Sequence, residues 1–245
     1  MSIILDANQY ESLFSILSMI KEECTDIDVR SGMIRQRNNS EMVIFDIDAS
    51  DLLQDMDLPL IGLKTKVDLL KMFVGNDEIE LTTDDERYSI KDEFSKISFV
   101  VPNVQFIENK FIEKTQLTQM FEFDDREIVF SHNFSQKVCE RMRIIATNYD
   151  IDSFMIEFNG DFATMKANTE SKDQSAVLVS DIPLDIHIEG KICNIISTLF
   201  ITEHDSELRL NMYINKSGIL FNEANTSMKG INYTIYNRTR LLDEE

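Results

Sequence analysis

Three histidines, His132, His187 and His204, are the chain's only imidazoles, and their scatter suggests neither a metal set nor a catalytic triad. The sequence contains no GxGxxG, P-loop, HExxH or GxSxG motif, so phosphate cradling, zinc hydrolysis and serine acyl transfer have no visible seat. Carboxylate pairs such as Asp84-Asp85 and Asp124-Asp125 have the chemistry of an acid and a base. With 44 acidic residues in the chain, however, such pairs arise by chance, and solvated turns account for them. The chain is therefore read as a non-enzyme with no cofactor and no metal. An unrecognised metal-dependent hydrolase with dispersed carboxylates is the rival from the enzyme class.

The chemistry that the sequence does offer is electrostatic. SQKVCERMR, residues 135–143, carries Lys137, Arg141 and Arg143 against Glu140 alone, in a chain of formal net charge −20. Such acidity favours solubility and opposes general adhesion to nucleic acid or anionic membrane. A basic helix in that setting is either a solvated face or a face that meets something negative. The predicted helices together hold seven bases, Lys21, Lys66, Lys71, Lys137, Arg141, Arg143 and Lys191, against five acids, Glu11, Glu22, Glu23, Asp68 and Glu140. Scattered Lys and Arg on helices contact phosphates without reading sequence, and no helix-turn-helix, zinc-finger or RNA-binding strand motif is present. By helical angle Arg143 is the base most nearly opposite the apolar stripe, with Lys137 on its flank. Arg141 falls nearer the core side, while Glu140 and Ile144 face solvent. Arg35, Arg37, Arg238 and Arg240 belong to strands and read as exposed strand faces, with subunit or DNA contact as the alternative.

Four helices are expected to position these bases, at about 7–23, 65–75, 134–149 and 190–202. Asp6 and Gln9 form a capping box for the first, and Thr65 with Asp68 for the second. Cys193, Ile196, Leu199 and Phe200 make the fourth, although a buried strand fits the same residues. Each helix is followed by a strand pair with a turn signal: Ser31-Gly32, Asp84-Asp85, Asn159-Gly160 and Ser217-Gly218. Helix centres spaced by about 55, 71 and 55 residues indicate two halves of similar plan. The expectation is a duplicated α+β fold, mostly antiparallel sheet with two helices per half. Its domains are 1–102 and 125–245, around a connector at 103–124. No segment reaches the ~18 apolar residues of a membrane span, and the N-terminus lacks the basic start of a signal peptide. Cys24, Cys139 and Cys193 read as buried thiols of an intracellular, reducing compartment.

Basic helices, two helix–hairpin units per half, a central linker and strong acidity together resemble the sliding clamps of DNA replication. The likeness is to proliferating cell nuclear antigen and the clamps of T4-type phages. DVRSGMIRQRNNSEMVIFDIDASDLL (28–53), FSQKVCERM (134–142), AVLVSDIPLDIHI (176–188) and the ending LLDEE are the stretches that carry it. The resemblance implies a homotrimeric ring around duplex DNA, helices inward and sheets outward, from a virus or phage. The site would be host cytoplasm for a phage, and the nucleus or a viral replication site for a eukaryotic virus. Implied partners are DNA polymerase, the clamp loader and other replication or repair factors. A late-transcription role bridging RNA polymerase to DNA is compatible. The lumen would use the seven helix bases. Subunits would join through Ser95, Ile97, Phe99 and Val101 of one copy and Ala176, Val177, Leu178 and Val179 of the next. Partner peptides would enter a groove of Met42, Ile44, Phe106, Ile107, Phe111, Leu117, Tyr233 and Ile235. Plain core packing is the competing role for each of those apolar residues. A viral assembly protein that oligomerises through edge strands, without DNA, is the alternative function.

Overall fold

The computed structural model describes residues 1–41, 43–101, 111–149, 154–168, 175–194, 207–217 and 220–242. Its chain divides into two compact units. The first is Met1–Glu113 with Met228–Tyr233, and the second is Lys114–Ser227 with Thr234–Glu245. Both are α+β and mostly antiparallel, as expected.

In the first unit β1 (Ser2–Asp6) runs directly into α1 (Ala7–Ile20). The Asp6 carboxylate accepts the Gln9 backbone N–H at 2.8 Å, and the Gln9 side chain accepts the Asp6 N–H at 3.0 Å. That is the capping box the sequence predicts. β2 (Asp26–Arg30) and β3 (Met33–Arg37) are joined by Ser31 and Gly32, at φ 47° and 73°. Two successive left-handed residues match the twist of the flanking strands. β4 (Val43–Asp48) and β5 (Leu58–Ile61) complete the order β5-β2-β3-β4, with the short α2 (Ser50–Leu53) between them. A second sheet has the order β1-β6-β7-β8, with β6 Glu78–Thr83, β7 Arg87–Lys91 and β8 Lys96–Val100. At the β6–β7 turn Asp84 accepts the N–H groups of Glu86 and Arg87 at 2.9 and 2.7 Å, so this carboxylate is a turn residue.

The second helix starts earlier than its sequence suggests. α3 spans Leu63–Leu70, continued by a 3₁₀ turn at Lys71–Phe73. Its N-cap is Gly62, in the left-handed region, and makes no side-chain cap. Thr65 and Asp68 therefore lie inside the helix rather than capping it. The cause is upstream: the Gly62 N–H donates to the Asp26 carboxylate at 2.8 Å and Leu63 N–H to Thr25 O at 2.7 Å. These bonds tie the chain to β2 and fix where the helix begins. Tyr10 Oη donates to Leu70 O at 2.8 Å, and its ring meets Phe73 edge-on at 6.4 Å, locking α1 to α3.

The second unit opens with α4 (Lys114–Phe121), inside the stretch expected to be connector, with Leu117 and Phe121 buried. β9 (Glu127–Phe134) then leads into α5 (Gln136–Tyr149), as β1 leads into α1, and the two helices have 14 residues each. β12 (Leu208–Ile214), β13 (Leu220–Met228) and β14 (Ile231–Leu242) follow in the order β14-β13-β12-β9. β10 (Phe154–Asn168) pairs with β11 (Ser175–Asn194), whose far end pairs with β14.

Two sequence expectations fail here. Asn159-Gly160 is not a hairpin turn. β10 runs through it and pairs with β11 on both sides, Gly160 with Ile188 and Phe162 with Pro183, with a bulge between. A two-residue type I′ turn needs both central residues left-handed. Only Gly160 has positive φ, 65°, and a single glycine of that kind makes a bulge. The fourth helix is also corrected where it can be seen. Residues 190–194 are strand, with Lys191, Ile192 and Cys193 paired to Leu242, Leu241 and Arg240, while 195–202 lie outside the described residues. A short apolar run suits helix and buried strand equally, and pairing on both sides decides it. Closure of β12 on β13, Ile214 opposite Leu220, agrees with a turn at Ser217. Cys24 and Cys139 are buried thiols outside any disulfide, and burial pushes Cys139 up to about 11.

Candidate nucleic-acid interface and strand edges

α5 is built from SQKVCERMR and the residues after it. Ser135 O accepts the N–H groups of Val138 and Cys139 at 2.9 and 3.1 Å, starting the helix. Cys139 and Met142 are buried, with Val138 and Ile145 half-buried beside them. This apolar side docks the helix. Lys137, Glu140, Arg141, Arg143 and Ile144 are exposed. Arg141 thus points to solvent, against the expectation that it sits nearer the core. The reason is that Cys139, rather than Val138, joins Met142 at the centre of the buried stripe, which turns Arg141 outward. Among the described residues, no ion pair neutralises Lys137, Arg141 or Arg143.

The bases of the first unit's helices are engaged internally. Lys21 Nζ lies 2.9 Å from the Asp68 carboxylate and joins α1 to α3. The hydrogen bond from Lys21 holds the Asp68 carboxyl below its ordinary range. Lys64 lies 3.7 Å from Glu22. Lys66 is half-buried with its ammonium over the Tyr88 and Phe99 rings, 5.1 and 5.3 Å from their centroids. Burial lowers its pKa, partly offset by the charge of Asp26. Lys71 is exposed in the 3₁₀ turn. Lys191 is on β11, not on a helix. Of the seven bases, Lys71 in the first unit and Lys137, Arg141 and Arg143 in the second are exposed, while Lys21 and Lys66 make contacts within their own unit. Arg35 is corrected too: it is buried, with Nε 2.8 Å from Asp46 across β3 and β4.

β8 and the start of β11 pair on one side only among the described residues, as β1, β5, β9 and β10 also do. β8 ends its sheet and pairs only with β7. Lys96, Ser98 and Val100 are exposed, and Ile97 and Phe99 half-buried. The Ser175–Val179 part of β11 pairs with β10 on one side, and β14 joins β11 only at 191–193. Val177 is exposed, and Ala176, Leu178 and Val179 are intermediate. A row of unpaired backbone N–H and C=O groups invites another strand.

Of the expected peptide groove, Met42, Phe106 and Ile107 lie outside the described residues. Ile44, Leu117, Tyr233 and Ile235 are buried, between 1% and 4% exposed, and pack as core. Phe111 is half-buried and bridges to Gln36, with the Arg30 guanidinium 4.8 Å above its ring. Sequence reasoning missed the aromatic cluster of the second unit. Phe121 packs at 4.8 Å on Phe221 and 5.0 Å on Tyr236. Arg126 lies 3.7 Å from the centroid of Tyr213 and 2.9 Å from Glu223. Its members come from four distant segments, so no local spacing announces it.

No protein-family model matches the chain, and no curated protein matches it in sequence. Among solved structures 321 chains match. One is from the PCNA2–PCNA3 complex of Sulfolobus tokodaii, at 16% identity and TM-score 0.63, covering 98% of this chain and 99% of that one. Another is A. fulgidus PCNA bound to the C-terminal region of FEN-1, at 12% identity and TM-score 0.64, covering 99% of both. A third is the proliferating cellular nuclear antigen of Entamoeba histolytica, at 13% identity and TM-score 0.63, covering 98% of both. Full-length coverage of both partners gives this chain the fold of the sliding clamps.

Proposed function

We propose that this chain is a DNA sliding clamp, a non-enzymatic ring of three copies that encircles duplex DNA and tethers polymerase and other replication factors to it. The observation that carries the reading is α5: three exposed, unneutralised cations on one helix of a clamp fold with net charge −20. A ring retains DNA by topology, so its inner surface needs only weak, sequence-neutral phosphate contact. Acidity elsewhere repels DNA from the outside and attracts basic partners. In such a ring β8 of one copy would pair with Ser175–Val179 of the next, which covers these two edges.

Retention on closed circular DNA is the test. The loaded clamp stays on closed circles at salt that abolishes ordinary binding, and leaves when the circle is cut. Equal loss from circles and linear DNA overturns the proposal. The alternative, an assembly protein joined through the same edges, has the edges in its favour but gives α5 no role.

A further inference from the structure

We infer that Asn159 is a self-modification site: the backbone nitrogen of Gly160 displaces its side-chain amide, His187 carries the proton, and water completes the conversion to aspartate or isoaspartate. The site is independent of the clamp reading.

Asn159-Gly160 is the chain's only Asn-Gly step. Asparagine is thermolabile, and least protected before glycine, where no Cβ keeps the next backbone nitrogen away from its Cγ. Here the pair makes no turn. Asn159 is exposed and paired in register with Glu189, and Gly160 is paired with Ile188. The next pair is Phe162 with Pro183, so the register skips Asp161 on β10 and residues 184–187 on β11. Regular pairing is thus interrupted directly after Gly160, whose φ is 65°. Extended backbone holds the Asn159 Cγ away from the Gly160 nitrogen, so ring closure needs the ladder to open at this point. A ladder opens more readily beside a bulge than in a regular stretch.

The bulge also brings a base to this glycine. A Cβ placed on Gly160 would stand 3.0 Å from His187 Cε1 and 3.5 Å from Nδ1, so the imidazole lies against it. Asp161 Oδ1, 2.9 Å from His187 Nδ1, holds the ring there. The two side chains are 65% and 73% exposed, so water reaches the site. As the Gly160 nitrogen gives its proton to the imidazole, it forms a bond to Asn159 Cγ. The Cγ–NH2 bond breaks, and the nitrogen leaves as ammonia with the proton that the imidazolium returns. The product is a five-membered succinimide. Water then adds to either ring carbonyl and opens the ring, giving aspartate or isoaspartate. Either product adds a carboxylate at the position paired with Glu189, and like charges opposite one another weaken a ladder. Isoaspartate also lengthens the main chain of β10 by one methylene.

Incubation of the full chain at neutral pH and physiological temperature, followed by peptide mass spectrometry, reads the reaction. The signature is the mass gain of one deamidation, with aspartate and isoaspartate peptides resolved by chromatography. Asn159 is expected to convert faster than every other asparagine of the folded chain. Asn159→Gln and Gly160→Ala each lower modification of this segment at least about tenfold, since both spoil the approach of nitrogen to carbonyl carbon. His187→Ala lowers it on the order of tenfold, as removal of a general base does. Circular dichroism of each variant establishes that it is folded. An intact Asn159 in the folded chain, when a free peptide of the same sequence has fully converted, overturns the inference. Conversion at an unchanged rate in folded His187→Ala overturns the part given to His187.

Discussion

Lys66 holds its ammonium 5.1 Å from the centroid of the Tyr88 ring and 5.3 Å from that of Phe99, so a base that helix patterning assigns to DNA is spent inside its own unit. The two rings are themselves stacked at 5.0 Å across β7 and β8. A cation over desolvated aromatic faces contributes up to about 2 kcal/mol. Lys66→Met keeps the apolar stem and removes the charge. It is expected to cost about 1 kcal/mol in denaturant unfolding and to leave retention on circular DNA unchanged. Lost retention with unaltered stability would return Lys66 to the lumen.

The opposite result is expected at α5. Arg143 is exposed and unneutralised, so Arg143→Ala should leave the unfolding midpoint within experimental error. It should lower the salt slope of binding to linear duplex by about one unit for each phosphate that a copy no longer neutralises. Titration against a fluorescent duplex at several salt concentrations measures that slope. An unchanged slope would remove Arg143 from the DNA face.

How far the sequence reached follows the range of the interaction. The Asp6–Gln9 capping box and the Ser31-Gly32 turn depend on neighbours in the chain, and both formed as their spacing required. The contact of Lys66 was not legible, because Tyr88 and Phe99, 22 and 33 residues away, decide where its ammonium rests. Asn159-Gly160 shows the same limit. Its turn chemistry is local, but pairing with β11 over the whole length of β10 outweighs it. For the candidate site, α5 and the exposure of Lys137 and Arg143 were legible because amphipathic periodicity is a one-helix property, while Arg141 was read as nearer the core because Val138 was taken as the centre of the stripe. Ile44 and Tyr233 were not, since an apolar residue on a strand looks the same whether it lines a groove or fills a core.

His132 makes stability depend on pH. It lies half-buried on β9, its ring 4.7 Å from Phe134, and burial lowers its pKa below 6.5. As pH falls the unfolded chain therefore takes up the proton first, and protonation favours unfolding. Its contribution is constant above pH 6.5, declines as pH drops from there toward the folded-state value, and levels off below it. Guanidinium unfolding between pH 7.5 and 5 should show a shallower decline in His132→Asn than in the parent. His187 and His204 are common to both proteins and cancel in the difference. Parallel curves would show that His132 titrates alike in both states.

Arg126 and Glu223 form a partly buried pair at 2.9 Å in the second unit, with the guanidinium stacked on Tyr213. Removing one member strands the other's charge, a loss of roughly 3–5 kcal/mol when burial is complete. Arg126 keeps a fifth of its side chain in solvent, so Arg126→Ala is expected to cost about 2–3 kcal/mol. Arg126→Lys should recover less than half, since an ammonium cannot both stack and reach the carboxylate in the same plane. Chemical denaturation compares all three proteins. Full recovery by lysine would make the contact a simple charge pair.

Gly32 carries the tightest backbone approach in the first unit. A Cβ there would stand 2.6 Å from Ser50 Cα and 2.9 Å from Gln54 O, both backbone atoms with no rotamer to yield. The left-handed φ of 73° adds about 1 kcal/mol of strain for any side chain. Gly62 and Gly75 have positive φ as well, but a Cβ on either would meet nothing within 4 Å. Gly32→Ala should therefore cost clearly more than the ~1 kcal/mol expected of Gly62→Ala or Gly75→Ala. The difference arises because α2 must be pushed off the β2–β3 turn. Urea unfolding of the three alanine variants side by side decides the matter: equal losses would mean that α2 moves aside at no cost and that only the dihedral angle counts.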